Sequence, residues 1–257
     1  MRSKAIILIA ACCLGCAPAF ATLTFVSTPA ALGSNDSTGW AQLGGDETAL
    51  ASGFTATSAG AIGVTGTFQG AGAEGLVAMV CPASPSCSWT TSGTGMNAGD
   101  SDIWSFDNAT GLGTGPLQLV FGTALLGAGA WIEGDTNGAY TAQLAVYNAG
   151  GFLASSTTTS DGSGDPVFLG ALDSVQEITK IVFSLTSCAG CTNLGDFAID
   201  TLLMTDASSA TTPEPSSLLL LGSGLAGMAW VLRRRTNRRD RQISSGPDQD
   251  LDNRRTV

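Results

Sequence analysis

The sequence predicts an all-β protein whose main domain is an antiparallel β-sandwich of jelly-roll type. Short apolar segments recur about every ten residues, and clusters of Gly, Asn, Asp and Ser separate them. Several segments alternate between apolar and polar residues, so that Ile62, Val64 and Phe68 fall on one face of a strand. Outside the C-terminal segment there is no convincing amphipathic helix. Many short strands without helices are typical of sandwiches and barrels.

The candidate strands cover most of the chain after residue 22. They are 23–26, 61–68, 75–80, 103–106, 117–121, 128–133, 140–148, 152–156, 167–171, 178–185 and 197–205. Gly and Asn residues at 134–138 and 148–151 supply the positive-φ positions that tight hairpins require, so both segments are predicted to be hairpin turns.

The N-terminus has the three parts of a secretory signal peptide. Arg2 and Lys4 precede an apolar stretch at 5–14, and Ala19-Phe20-Ala21 is a small-x-small cleavage site. Residues 1–21 are therefore predicted to be removed by signal peptidase, with Ala19 and Ala21 at the cleavage site. The alternative is a lipoprotein site at 9–12 with an acylated Cys12, which would leave a very short apolar stretch.

The region after the signal peptide is strongly acidic. Residues 22–206 are long enough for one well-buried domain, and 207–212 are assigned as a linker. Between 22 and 212 there are 16 Asp and Glu residues against one basic residue, Lys180, which gives a formal charge of −15. A nucleic-acid partner is excluded, because no side chains are available to neutralise phosphates. The acidity is explained either by solubility outside the cell or by binding of divalent cations.

The C-terminal segment has a tripartite organisation. Pro213-Glu214-Pro215 precedes an uncharged apolar run at 216–232, which ends at Arg233, Arg234 and Arg235. As a helix the run would span roughly 25 Å, which is just enough to cross a bilayer. The arginines should hold their end in the cytoplasm and leave the ectodomain outside. Residues 236–257 are polar and are predicted to be a disordered cytoplasmic tail.

This order of proline-glutamate-proline, short apolar span and arginine cluster resembles the PEP-CTERM protein-sorting signal, a module also catalogued as an ice-binding-protein C-terminal domain. The resemblance covers about 25 residues and departs from the family in the residues that follow the arginines. It implies recognition by an exosortase, a membrane protease-transpeptidase that would cleave near Pro213-Glu214-Pro215. The precursor would then be membrane-anchored and the product released or attached at the cell surface. An ice-binding role would require a regular Thr array, and the Thr spacing here is irregular.

The second half of the ectodomain has a further resemblance. The segments 129–132, 142–147, 167–170, 178–183 and 195–200 are similar in pattern to ectodomains often found with PEP-CTERM tails, which look like galactose-binding-like jelly rolls. The resemblance implies the same sandwich fold, with the closing strand at 197–200 paired near the first strand.

The ectodomain contains four cysteines, an even number that favours disulfides in an exported chain. The simplest pairing is local, Cys81 with Cys87 and Cys188 with Cys191, and the two cross-pairings stay open. A redox role for the second pair and a four-cysteine zinc site are weaker alternatives. The sequence has no histidine, which excludes Ser-His-Asp and Cys-His catalysis.

The acidic residues allow two kinds of site. Asp100, Asp102 and Asp107 cluster around one strand, and Asp165, Asp196 and Asp200 lie near strand ends, as in calcium sites, although Asx turns and solvated loop tips are the favoured explanation. Glycosidases use paired carboxylates, for which the candidates are Glu133 with Asp135 and Asp196 with Asp200. We expect no enzymatic activity and no obligatory cofactor, with Ca²⁺ as the one candidate ligand.

Aromatic residues beside polar loops suggest glycan binding. Trp40 and Trp89, flanked by Gly, Ser or Thr, are predicted to be exposed platforms for sugar rings, whereas Trp104 and Trp131 are predicted to be core residues. The sequence thus predicts a non-enzymatic exported surface or matrix protein, with exopolysaccharide or biofilm association implied by the family resemblance. The alternative is a lectin-like carbohydrate- or Ca²⁺-dependent binding module.

Overall fold

A computed structural model describes residues 22–70, 74–79, 96–97, 99–136, 138–207 and 228. The chain divides into two compact units, Met1–Ser209 and Ala210–Val257, and all the strands below belong to the first. Within these described ranges no helix is both long and apolar enough to span a bilayer. The predicted signal peptide, the cytoplasmic tail and, apart from Met228, the predicted membrane helix lie outside them.

Antiparallel strands make up most of the first unit. In chain order they are β1 (Leu23–Val26), β2 (Asp36–Thr38), β3 (Thr48–Ala51), β4 (Phe54–Thr57), β5 (Gly63–Phe68), β6 (Glu74–Met79), β7 (Ser101–Trp104), β8 (Phe106–Asp107), β9 (Leu112–Gly113), β10 (Leu117–Leu125), β11 (Gly127–Gly134), β12 (Tyr140–Asn148), β13 (Gly151–Thr159), β14 (Val167–Asp173), β15 (Ile178–Cys188), β16 (Phe197–Ile199) and β17 (Leu202–Thr205). A short helix α1 (Pro29–Leu32) and a 3-10 helix (Trp40–Leu43) join the early strands.

Two sheets pack face to face. The first has nine strands, in the order β1-β14-β11-β16-β7-β6-β3, and β17 also pairs with β11 and β2. The second has six strands, in the order β13-β12-β15-β10-β5-β4. The remaining pair, β8 and β9, forms a small separate hairpin. This arrangement confirms the predicted all-β sandwich, while the jelly-roll assignment stays a prediction.

Alternate residues of both sheets supply the core. The first sheet contributes a row of fully buried residues, Ile132, Ile199, Ile103 and Val77, which lie opposite one another on four neighbouring strands. The second sheet contributes residues such as Val64, Leu119, Ile181 and Phe183 to the same cluster. Side chains one residue away from these point out of the sandwich, because successive strand residues face opposite sides.

The predicted turns had different outcomes. The turn at 148–151 joins the paired strands β12 and β13, and Gly151 has a φ of 127°, as the hairpin prediction requires. The segment 134–138 is not a hairpin turn, because β11 and β12 belong to different sheets and the chain crosses between them here. The expected neighbour of the first strand was also wrong. β1 pairs with β14, and the strand at Phe197–Ile199 lies between β11 and β7.

Candidate functional site

Three neighbouring strands place carboxyl groups on the outward face of the nine-stranded sheet. Glu133, Asp200 and Asp102 each adjoin a core isoleucine of β11, β16 or β7 and therefore point to the opposite side. None of the three is on the surface, since Asp102 is 0% exposed and the other two are 4% exposed. Met96, Ala78 and Ala198 form a second apolar cluster on this side of the sheet, with Trp104 packed against it.

Asp102 is the most perturbed member of this carboxyl cluster. Burial, followed by the neighbouring carboxyl of Asp200, raises the pKa of Asp102 to about 9, and the charges of Glu133 and Asp100 act in the same direction. The Asp200 carboxyl is close enough to Asp102 to raise its pKa. Neither oxygen of the Asp102 carboxyl makes a hydrogen bond of normal geometry with a described group. Asp102 is therefore a neutral carboxylic acid at pH 7.

Asp200 occupies the turn between β16 and β17. Burial raises its pKa, whereas hydrogen bonds from the backbone and side chain of Thr201 favour the ionised form. Its backbone carbonyl accepts a 3.0 Å hydrogen bond from the indole nitrogen of Trp40. The Asp200 carboxyl raises the pKa of Asp102, whereas the Asp102 carboxyl lowers the pKa of Asp200, so the interaction between the two favours the proton on Asp102.

A second carboxyl pair lies on the same side of the sheet. Asp196 accepts a 2.7 Å hydrogen bond from the indole nitrogen of Trp104, whose ring stacks on Phe106 at a centroid distance of 4.3 Å. Burial raises the pKa of Asp196 to about 6, although the indole bond lowers it, and the charge of Asp135 raises it further. Burial also raises the pKa of Asp135.

The structure regroups the carboxylate pairs that the sequence suggested for a glycosidase. Glu133 interacts with Asp102 rather than forming an isolated pair with Asp135, and Asp135 is instead a neighbour of Asp196. Because Asp102, Glu133 and Asp200 are almost completely buried, this cluster has no exposed carboxyl that could touch a sugar.

The three residues predicted for calcium do not form one site. The Asp107 carboxyl accepts hydrogen bonds from the backbone nitrogen of Ala109 at 2.8 Å and the hydroxyl of Thr110 at 2.7 Å. These hydrogen bonds lower the pKa of Asp107. They are the bonds of an Asx turn, which was the alternative interpretation of this residue. Asp100 instead accepts from the Asn97 amide, while Asp102 lies in the carboxyl cluster. Among the described residues, no group of three or more Asp, Glu or Cys side chains is placed to hold a metal ion.

The predicted exposure of Trp40 is wrong. Its side chain is 0% exposed and belongs to the sandwich core, where its ring meets Phe54 edge to face at 6.4 Å. Trp40 therefore cannot be a sugar platform, and Trp89 lies outside the described residues. Trp104 and Trp131, predicted to be core residues, are instead half-buried on the outward side of the first sheet.

The disulfide prediction is confirmed for one pair. Cys188, the last residue of β15, is bonded to Cys191, with the Cα atoms 5.6 Å apart. The intervening Gly190 has a φ of 90°, a conformation that favours glycine. Cys81 and Cys87 lie outside the described residues.

The sorting signal was compared with known protein families. The model of the PEP-CTERM protein-sorting motif matches residues 211–235. The chain carries a PEP-CTERM protein-sorting motif. The matched segment contains Pro213, Glu214, Pro215 and the cluster Arg233, Arg234 and Arg235, all of which lie outside the described residues. No curated protein and no solved structure matched the chain.

The matched motif indicates a coarse function for the chain, that of an exported protein routed by a C-terminal signal. The sequence could show this signal because its parts occur in a fixed order within one short segment. It could not show the carboxyl cluster, because Glu133, Asp102 and Asp200 are brought together by strand pairing over almost 100 residues.

Proposed function

We propose that this protein is a non-enzymatic component of the cell surface or extracellular matrix, associated with exopolysaccharide or biofilm. Its acidic sandwich would be exported with a cleaved signal peptide, anchored by the helix at 216–232 and processed by an exosortase at Pro213-Glu214-Pro215. The observation that carries this proposal is the family match at residues 211–235. The arginine cluster that follows favours a cytoplasmic C-terminus.

Two features of the ectodomain support an extracellular location. Cys188 and Cys191 are joined in a disulfide, and such bonds persist in oxidising compartments. The charge of −15 between residues 22 and 212 keeps such a body soluble and separates it from its neighbours by repulsion.

A structural role for the carboxyl cluster supports the non-enzymatic proposal. A general acid or nucleophile must come within hydrogen-bond reach of its substrate, and Asp102 is completely buried. The chain also has no histidine to act as a base. We therefore assign the cluster to the buried interior of the fold and not to chemistry on a substrate.

The alternative function is a lectin-like, carbohydrate- or Ca²⁺-dependent binding module. The burial of Trp40 removes one of its two predicted aromatic platforms. The binding-module alternative retains support from another aromatic residue, Phe152. Its side chain is 60% exposed beside Tyr147 on the second sheet.

Substitution of the sorting motif tests the proposal. Replacing Pro213-Glu214-Pro215 by three alanines should leave a larger, membrane-retained precursor, detected by cell fractionation and intact-mass analysis. The matched control replaces Pro247-Asp248-Gln249, a similar tripeptide downstream of the arginines, and should leave processing unchanged. Identical product size and location for both variants would contradict sorting through this motif.

A further inference from the structure

The acidic residues are absent from one sheet of this acidic protein. All 16 Asp and Glu residues between 22 and 212 lie outside the six strands of the second sheet, β4, β5, β10, β12, β13 and β15. The same six strands contain Lys180, the single basic residue of that region. The outward face of this sheet is therefore an uncharged surface, apart from one amine, on a body of charge −15.

Strand register shows which side chains form this outward face. One row runs across all six strands and consists of Thr55, Thr65, Val120, Lys180, Tyr147 and Phe152. Their sequence neighbours Ala56, Val64 and Ile181 are buried in the core, so the row faces outward. Thr55 and Thr65 are exposed, and Val120, Lys180 and Tyr147 are half-buried. We call this surface the hydroxyl face, because Thr, Ser and Gln predominate in the adjacent rows.

The hydroxyl face ends in a small aromatic group. The Lys180 Nζ atom lies 4.0 Å from the centroid of the Tyr147 ring, and Phe152 meets that ring edge to face at 5.5 Å. These contacts hold Tyr147 in place, since a cation over one ring face and a ring at its edge are both attractive. Phe152 is left 60% exposed, which places a rigid apolar surface beside the rows of hydroxyl groups.

The charge distribution limits what this face could bind. A second copy of the protein or an anionic polymer would be repelled by a charge of −15, and a cationic polymer would be drawn to the carboxyl-rich remainder of the domain. A neutral polymer meets neither obstacle. Sugar hydroxyls pair with Thr, Ser and Gln side chains, and the apolar faces of sugar rings pack on aromatic rings. Thr55 and Thr65 are the two threonines of the row, and Val120 and Lys180 follow them, so the row is not the regular threonine array that ice binding needs.

We propose that the hydroxyl face is a binding surface for a neutral polysaccharide, which lies across the strands with its sugar rings against Phe152 and Tyr147. The inference rests on the proposed function only for the presence of polysaccharide outside the cell. It deepens that function by naming the class of partner and the surface that binds it. Phe152 and Tyr147 take the sugar-contacting role that the sequence suggested for Trp40.

The test measures retention of the full chain, purified in mild detergent, by three neutral polysaccharides: cellulose, cross-linked dextran and agarose. Alginate beads serve as the anionic comparison. We expect retention by at least one neutral polysaccharide and none by alginate. Thr65→Glu introduces a negative charge within the row and Phe152→Ala removes the exposed ring, so each should weaken retention about tenfold or more.

Thr24→Glu is the matched control, because Thr24 is an exposed strand residue of the nine-stranded sheet. It adds the same charge and should leave retention unchanged. Thermal melts of all variants verify that they are folded. Failure of all three neutral polysaccharides, retention by alginate alone, or equal retention of the Thr65 and Thr24 variants would each overturn the proposal. Sorting is measured separately by the size and location of the product in cells, so failure of either proposal is recognised independently.

Discussion

Asp102→Asn should stabilise the protein by an amount that grows with pH. Asp102 has a folded-state pKa of about 9 against 3.8 for the ordinary side chain. Because the folded state holds the proton and the unfolded state releases it, stability is greatest below pH 3.8 and falls as the pH rises toward 9. Each pH unit in this window costs about 1.4 kcal/mol. Asn is neutral at every pH and close in shape, so the substitution removes this cost.

The expected gap between the variant and the wild type follows from these values. It amounts to about 2 kcal/mol at pH 5 and about 4 kcal/mol at pH 7. The assay is urea unfolding of the full chain, followed by tryptophan fluorescence at pH 5, 6, 7 and 8 in the presence of EDTA. Asp46→Asn makes the same side-chain substitution on an exposed turn and is the matched control.

Two results would refute the reasoning on Asp102. The first is a variant that is less stable than the wild type at every pH, which would mean that the folded protein uses an ionised Asp102. The second is a wild-type unfolding midpoint that rises with added Ca²⁺ and does so only when Asp102 is present. That result would mean that a bound cation, and not a proton on Asp102, neutralises the cluster.

Three further predictions concern the core, the second carboxyl pair and the disulfide. Trp40→Ala should cost about 3–5 kcal/mol in urea unfolding, because it empties a fully buried site and removes the hydrogen bond to the Asp200 carbonyl; a loss below 1 kcal/mol would mean that Trp40 is exposed after all. Trp104→Phe keeps the stack on Phe106 but removes the donor to Asp196, so the Asp196 pKa should rise above 6 in an NMR titration, and an unchanged or lower value would contradict the assigned hydrogen bond. Replacing both Cys188 and Cys191 by serine opens a loop of sequence separation 3 and should cost about 2 kcal/mol, measured against the wild type under oxidising conditions; equal stability would show that the bond adds nothing to the fold.

Local pattern was sufficient to predict much of the fold. The strand at Tyr140–Asn148 was predicted with its correct ends, because apolar residues alternate along it and a Gly-containing turn follows. The strand at Phe54–Thr57 was missed, because Phe54 is its one large apolar residue and the four-residue stretch gives only a weak apolar pattern. Its pairing with Gly63–Phe68 is what makes it a strand.

The burial of individual side chains could not be predicted from the local sequence alone. Trp40 stands between Gly39 and Ala41, which suggested exposure, but its indole bonds to a carbonyl 160 residues later in the chain. Alternation with Ile103 correctly places Asp102 on the opposite side of its strand. That this side is also buried depends on residues such as Met96, which the fold brings together with Ala78 and Ala198 from distant parts of the sequence.

The mass of the exported product is the most direct test of the central claim, that an acidic sandwich is delivered outside the cell through its C-terminal signal. Intact-mass analysis of the product recovered outside the cytoplasm should give a chain that begins at Thr22 and ends near Pro213-Glu214-Pro215. An exported or membrane-bound product that still carries residues 216–257 would contradict processing at the motif.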